Sequence, residues 1–230
     1  MHLTVTNRHD HEIVALCAEG RAGPDADEQT RDIFRRFDGA LSRLSLSLDD
    51  TVRTRLWARD RPSRDVGSKA RVDVLSGAAR SASSSFIAPD YFESDADVAV
   101  ELWALRPASP DSQKKLIEYE PPIVPLRYLE RDGLVVLSGM TSVLTGLDKQ
   151  VGEILGNVSS ALEHAGVEWN HVVKLSAVLH SSQSLDHLRD VLDPLLMAQP
   201  EETEFLFADG YSTEGKLVEI EVTARREVRG

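Results

Sequence analysis

Few residues of this sequence that are able to do chemistry are spaced to do it by themselves. His9 and His11 share one turn, but a zinc site needs three or four converging ligands, so both are expected to face solvent. Cys17 is the only cysteine. It ends an apolar run with no sequence-adjacent histidine to draw off its proton, which marks a buried, inert thiol and excludes an intrachain disulfide framework. Gly-x-Ser-x-Gly, Walker and dinucleotide-binding glycine patterns are absent, leaving esterase, nucleotide-hydrolase and dinucleotide-enzyme readings without support. Glutamates within apolar strands, Glu101 and Glu219, and an arginine before a strand, Arg80, remain. By type alone, Arg80 is a surface arginine at a strand start. Glu219, alternating with Val218, Ile220 and Val222, faces solvent or pairs with an arginine.

The elements that must position these residues follow from periodicity. In Gln150–Leu196, Val151, Ile154, Leu155, Val158, Leu162 and Ala165 form one helical stripe that Gly166 ends. Val173, Leu175, Ala177 and Leu179 then alternate with polar Lys174 and Ser176, as in a half-buried strand. Leu185, Leu188, Val191, Leu192 and Leu195 return to helical spacing until Pro194 and Pro200 stop it. Laying Gln29 on Gln150 brings Ile33 onto Ile154, Ala40-Leu41 onto Ala161-Leu162, Val52 onto Val173 and Asp65 onto Asp186 without a gap. This agreement through helix, turn, strand and helix indicates a tandem duplication.

In the first copy, strands are expected at Leu3–Asn7, Glu12–Ala18, Thr51–Arg59, Ser81–Ile87 and Ala96–Leu105, with helices at Asp27–Ser45 and Ser63–Leu75. The second has strands at Ile123–Glu130, Leu134–Met140, Thr203–Phe207 and Lys216–Ala224 around its helix-strand-helix unit. Residues 1–107 and 118–230 form the two units, and the polar, proline-bearing stretch between them (108–117) is the linker. This order implies an α+β fold in which two helices cover one face of each mixed sheet. The other face must then be buried against the second unit or another chain.

Hydrophobic content of 41% and charged content of 28% are those of a globular protein. A net charge of −12 opposes nucleic-acid binding. Arg31, Arg35, Arg36 and Arg43 are interspersed with Asp32 and Asp38, as on a solvated face. No apolar run approaches the roughly 20 residues of a membrane span, and Met1-His2-Leu3-Thr4 lacks a secretory start; a soluble cytoplasmic protein is expected.

Several short motifs in order carry a resemblance. Leu134-Val-Val-Leu-Ser138-Gly139, Gln150, Asn157 to Gly166, Val172-Val-Lys174-Leu and Leu217-Val-Glu219-Ile-Glu221-Val together resemble the Rid (YjgF, L-PSP) family of enamine/imine deaminases. Glu28-Gln29-Thr30-Arg31, Asp50-Thr-Val52 and Ala79-Arg80-Ser81 extend the likeness to the first copy. The resemblance implies two tandem chorismate-mutase-like units, a trimeric homo-oligomer, and cofactor-free, metal-free hydrolysis of a small carboxylate-bearing imine or enamine to a keto acid and ammonia. It also implies that Arg80 grips the substrate carboxylate, that the Ala82 carbonyl and Glu219 position water, and that Ser138 and Gly139 complete the pocket. A guanidinium fork suits a planar carboxylate, and an ionised carboxylate can take a proton from attacking water. Glu101 is nearest to Glu219 in the first copy, although a register two residues away puts Ala99 there. Pro125 falls near the family's first-strand tyrosine and Tyr128 lies three residues on. Glu201, with Glu202 beside it, takes the place of Arg80 in the second copy, whereas the first has Cys17-Ala18 in place of Ser138-Gly139. These complementary losses suggest one composite site joining Arg80 to Ser138 and Gly139. The alternatives are a non-catalytic binding or assembly protein of this fold and a chorismatase-like hydrolase.

Overall fold

A computed structural model describes residues 1–8, 11–21, 23 and 25–226. His9 lies outside them. The first unit consists of β1 (His2–Arg8), β2 (His11–Glu19), α1 (Ala26–Ser42), β3 (Thr51–Ala58), α2 (Arg61–Val74), β4 (Ala82–Ile87) and β5 (Val98–Leu105). The second consists of β6 (Lys115–Ile117), β7 (Tyr128–Arg131), β8 (Leu134–Leu137), β9 (Met140–Thr141), α3 (Leu147–His164), β10 (Val172–His180), α4 (Leu185–Leu192), β11 (Glu202–Ala208) and β12 (Val218–Arg225).

The two sheets share one topology. Strand order is β1-β2-β5-β3-β4 in the first and β11-β10-β12-β8-β7-β6 in the second, with β9 also on β12. Among the described residues only β3/β4 and β10/β11 are parallel, each pair joined by a crossover helix, α2 or α4. Both copies carry a register shift at the aligned place, between Thr51 and Arg53 in β3 and between Val172 and Lys174 in β10. Such a bulge reverses the side chains on either side of it. Val172, not Val173, therefore packs with Leu175 against the helices, where unbroken alternation would have put Val173. The aligned glutamines are also equivalent. Buried Gln29 accepts from the Asp97 amide ahead of β5, and buried Gln150 accepts from the Leu217 amide ahead of β12.

Three expected boundaries shift. The end of the linker is ordered as β6, an edge strand on β7. The strand expected from Ile123 starts at Tyr128, because Pro121, Pro122 and Pro125 have no N–H for a ladder. The run Leu134–Met140 breaks at Ser138-Gly139 into β8 and β9.

Each unit has its own core between helices and sheet. Ile33, Phe34, Phe37 and Leu41 of α1 bury against Val100 and Leu102 in one, and Val151, Ile154 and Val158 of α3 against Ile220 and Val222 in the other. The opposite sheet faces meet inside the chain. Trp57, Phe86 and Ala99 pack on Val178, Ala208 and Tyr211 at one end, and Val52, Ala82 and Leu105 on Leu129, Leu134 and Val136 at the other. Among the described residues, no helix is long and apolar enough to cross a membrane.

Candidate active site between the two sheets

Between those apolar ends the inter-sheet layer is charged, and its charges are paired. Arg55 of β3 donates to Glu221 Oε2 of β12 at 2.8 and 3.0 Å and reaches Glu204 at 2.9 Å and Glu101 at 3.5 Å. Arg53 lies 3.1 Å from Glu221 and donates to the Leu137 and Val222 carbonyls. It thereby fills the gap where the sheet opens between β8 and β9. Glu221 is 2% exposed, yet the two arginines hold its carboxyl down at about 2 against the upward push of burial.

On the open side of this layer lies a cavity of about 580 Å³. The first unit lines it with Arg64 and Arg71 of α2 and Ser83, Ser84 and Ser85 of β4; the second adds Tyr119, Gly139, Lys216 and Glu219. The local fold explains Arg71. It shares the buried face of α2 with Gly67 and Ala70. A Cβ at Gly67 would come within 3.0 Å of Val98 and 3.1 Å of Leu56, so glycine lets this helix sit low on the sheet. Arg71 then reaches the Ser84 carbonyl at 2.6 Å and the Ser85 hydroxyl at 2.9 Å. It makes no ion pair among the described residues, and burial lowers its guanidinium to about 10.

Glu219 is the cavity's acid. Its β12 neighbours Val218 and Ile220 face α3 and α4, which turns Glu219 to the other unit, where it is 6% exposed and makes no ion pair among the described residues. Burial pushes its carboxyl up to about 7 and the Glu221 charge adds to the rise, while the charges of Lys216 and Arg64 pull down. At Gly139 an added Cβ would lie 1.8 Å from Glu219 Oε1 and 2.5 Å from Ser84 Oγ. Only glycine allows Glu219 and Ser84 to meet there.

The expected site residues separate accordingly. Glu219 and Gly139 line the cavity. Ser138 is buried beside it, its hydroxyl accepting from the Ser83 amide at 3.3 Å, so the second unit's Ser138-Gly139 does meet β4 of the first. Ala82 is fully buried one residue short of the cavity, and the carbonyl facing Arg71 is that of Ser84. Arg80 does not line this cavity. Its fork is closed on Glu118, and it borders a neighbouring recess of about 40 Å³. Glu101 is corrected by strand register: Ala99 pairs with Trp57 as Glu219 pairs with Val178, so Ala99 is the counterpart of Glu219 and Glu101 that of Glu221. Glu101 instead accepts from Tyr91 at 2.9 Å in the paired layer. Cys17 is partly buried, 3.5 Å from the same tyrosine hydroxyl, and burial raises its thiol. Pro125 lines the cavity, whereas Tyr128 turns away to His164, 2.6 Å distant. Among the described residues no histidine, cysteine or acid cluster could hold a metal.

Sequence reasoning did not single out Arg71, Ser84, Tyr119 or Lys216 for the site. A signal existed for Arg71 alone, a charged residue one position after Ala70 and four after Gly67 on the buried stripe of its helix.

The fold defines a tandem two-unit α+β protein with a cavity lined by both units at their seam. Comparison with solved structures agrees on the fold. A chorismatase structure matches 96% of this chain and 78% of its own, with a TM-score of 0.65 at 18% identity. Single-unit structures each cover about half. A member of the YjgF/YER057c/UK114 family from Mycobacterium tuberculosis covers 49% of this chain and 99% of its own (TM-score 0.44, 21% identity). A YjgF family member from Neisseria meningitidis covers 50% and 97% (TM-score 0.43, 19% identity). No protein-family model and no curated protein matches the sequence.

Proposed function

We propose that this chain is a cofactor-independent hydrolase that adds water to a small carboxylate-bearing imine or enamine and releases ammonia, in the cavity at the seam. The observation that carries this reading is a buried guanidinium without an ion pair and a buried carboxyl held near neutrality, both opening into one cavity. Burying Arg71 without a counter-ion is costly, and a substrate carboxylate removes that cost. The carboxylate is assigned to Arg71 rather than Arg80, because Glu118 already occupies the Arg80 fork.

A carboxyl with a midpoint near 7 can serve as both acid and base at neutral pH. Neutral Glu219 donates its proton to the enamine carbon, or to the imine nitrogen, leaving a C=N carbon positively polarised. The Glu219 carboxylate then takes a proton from water as its oxygen bonds to that carbon. Glu219 passes that proton to the carbinolamine nitrogen, and as the C–N bond breaks and ammonia leaves, the carbinol O–H proton returns to the Glu219 carboxylate, giving the keto acid and restoring the neutral acid.

The size and charge of the cavity favour a second reading, a chorismatase-like hydrolase with a larger, more highly charged substrate. About 580 Å³ and the further cations Arg64 and Lys216 exceed what a three-carbon imino acid requires. Ammonia release from enzymatically generated 2-aminoacrylate, run beside loss of chorismate absorbance, separates the two. The expected result is wild-type acceleration of ammonia release, reduced by about 10²-fold or more in Glu219→Gln. Chorismate consumption without ammonia release would move the assignment to the second reading, and activity on neither would reject the hydrolase.

A further inference from the structure

Ser84 has one hydroxyl proton and stands between two carboxyl groups. It donates to Glu221 Oε1 at 2.6 Å, and its oxygen converges with Glu219 Oε1 beside Gly139, where an added Cβ would lie 2.5 Å from the one and 1.8 Å from the other. Glu221 is the stronger claimant. Its other oxygen is held by Arg55 and Arg53, so it stays a carboxylate through the neutral range, and carboxylates are acceptors only. A hydroxyl whose proton is committed to Glu221 offers Glu219 a lone pair, and only a protonated Glu219 can use it.

We propose that Ser84 and Glu221 are positioning residues for Glu219: Glu221 orients the Ser84 hydroxyl so that it accepts a hydrogen bond from the Glu219 acid, holding that acid loaded and its proton-bearing oxygen fixed before substrate arrives. Gly139 is part of the device, because any side chain there would enter the space where Glu219 Oε1 and Ser84 Oγ meet. The arginines of β3 are its anchor, acting at second hand through Glu221. The inference rests on the preceding reading only in treating Glu219 as the proton donor of the reaction.

The charged and titratable groups around Glu219 come from every neighbouring element: Arg64 and Arg71 of α2, Arg53 of β3, Tyr211 and Lys216 ahead of β12, and Glu221 on its own strand. Lys216, Arg64, Arg71 and Arg53 favour the ionised acid, so the Ser84 acceptor opposes them. This fixes the sign of the test. If Ser84 accepts from Glu219, Ser84→Ala removes a stabiliser of the neutral acid and moves its ionisation to lower pH. If Ser84 donates to Glu219, the same substitution moves it to higher pH.

Infrared titration of the free protein reads this without a substrate, the Glu219 acid C=O band being the one that Glu219→Gln deletes. The expected result is a wild-type midpoint near neutrality that falls by on the order of one pH unit in Ser84→Ala. Glu221→Gln, which withdraws a charge and releases the Ser84 proton, falls in the same direction. Ser84→Thr, which keeps the hydroxyl, restores the wild-type midpoint. An unchanged or raised midpoint in Ser84→Ala overturns the proposal. A lowered midpoint in a protein that hydrolyses no imine would keep the positioning pair and reject the deaminase reading instead.

Discussion

Glu219 and Glu221 sit two residues apart on one strand, on one sheet face, both buried, and they behave oppositely. Glu221 lies where two arginines of the other unit converge and is held at about 2; Glu219 lies where no arginine pairs with it and is pushed up to about 7. The arginines divide in the same way. Arg55 and Arg53 meet carboxylates inside the layer and Arg80 meets Glu118 at its edge, while among the described residues Arg71 meets only a carbonyl and a hydroxyl. Charges that complete each other join the units, and the two left incomplete open into one cavity. Unsatisfied buried charge is a better guide to chemistry here than charge alone.

The comparison breaks most severely at the paired glutamate. Glu221→Ala leaves Arg53 and Arg55 buried without their shared counter-ion and is expected to cost about 3–5 kcal/mol in denaturant unfolding. A loss below about 1 kcal/mol would mean that the inter-sheet network is not what joins the units.

The acid in the cavity should show the opposite sign. Its folded-state pKa is raised above the unfolded value, so the folded state holds the extra proton and stability declines as pH rises from about 4.5 to about 7. Glu219→Gln removes that decline and should stabilise the protein above pH 7 by on the order of 3 kcal/mol. Melting temperatures of both proteins across pH 5–8 measure it, and parallel curves would show Glu219 to be ionised throughout. Glu221, with its pKa depressed, contributes stability that is lost only as pH falls from about 4.5 toward about 2.

Arg80 gives the smallest effect. It is about one-third exposed and paired with a partner of similar exposure, so Arg80→Ala should change stability by about 1 kcal/mol or less.

Much of this contrast was hidden in the sequence for a physical reason. Helical and strand periodicities are local, so the elements, the duplication and the α+β order were legible from residues such as Gln29 and Gln150. The bulges at Thr51–Arg53 and Val172–Lys174 were not, because a bulge inverts alternation without changing composition. Glu219 and Gly139 could be placed by motif, since their neighbours on β12 and β8 form recognisable runs. Arg71 and Ser84 could not, because what sets them apart is a cross-unit relation: which carboxylate lies opposite, and which does not. Arg80 shows the same limit from the other side. Its motif is intact, but the partner that fills it, Glu118, belongs to the second unit.

The most direct test of the central claim asks which arginine holds the substrate's acid group. Saturation-transfer NMR with pyruvate, the keto acid that 2-aminoacrylate hydrolysis would yield, should show binding to the wild type and to Arg80→Ala alike, and binding at least about tenfold weaker in Arg71→Ala. Binding lost in Arg80→Ala and kept in Arg71→Ala would contradict the account.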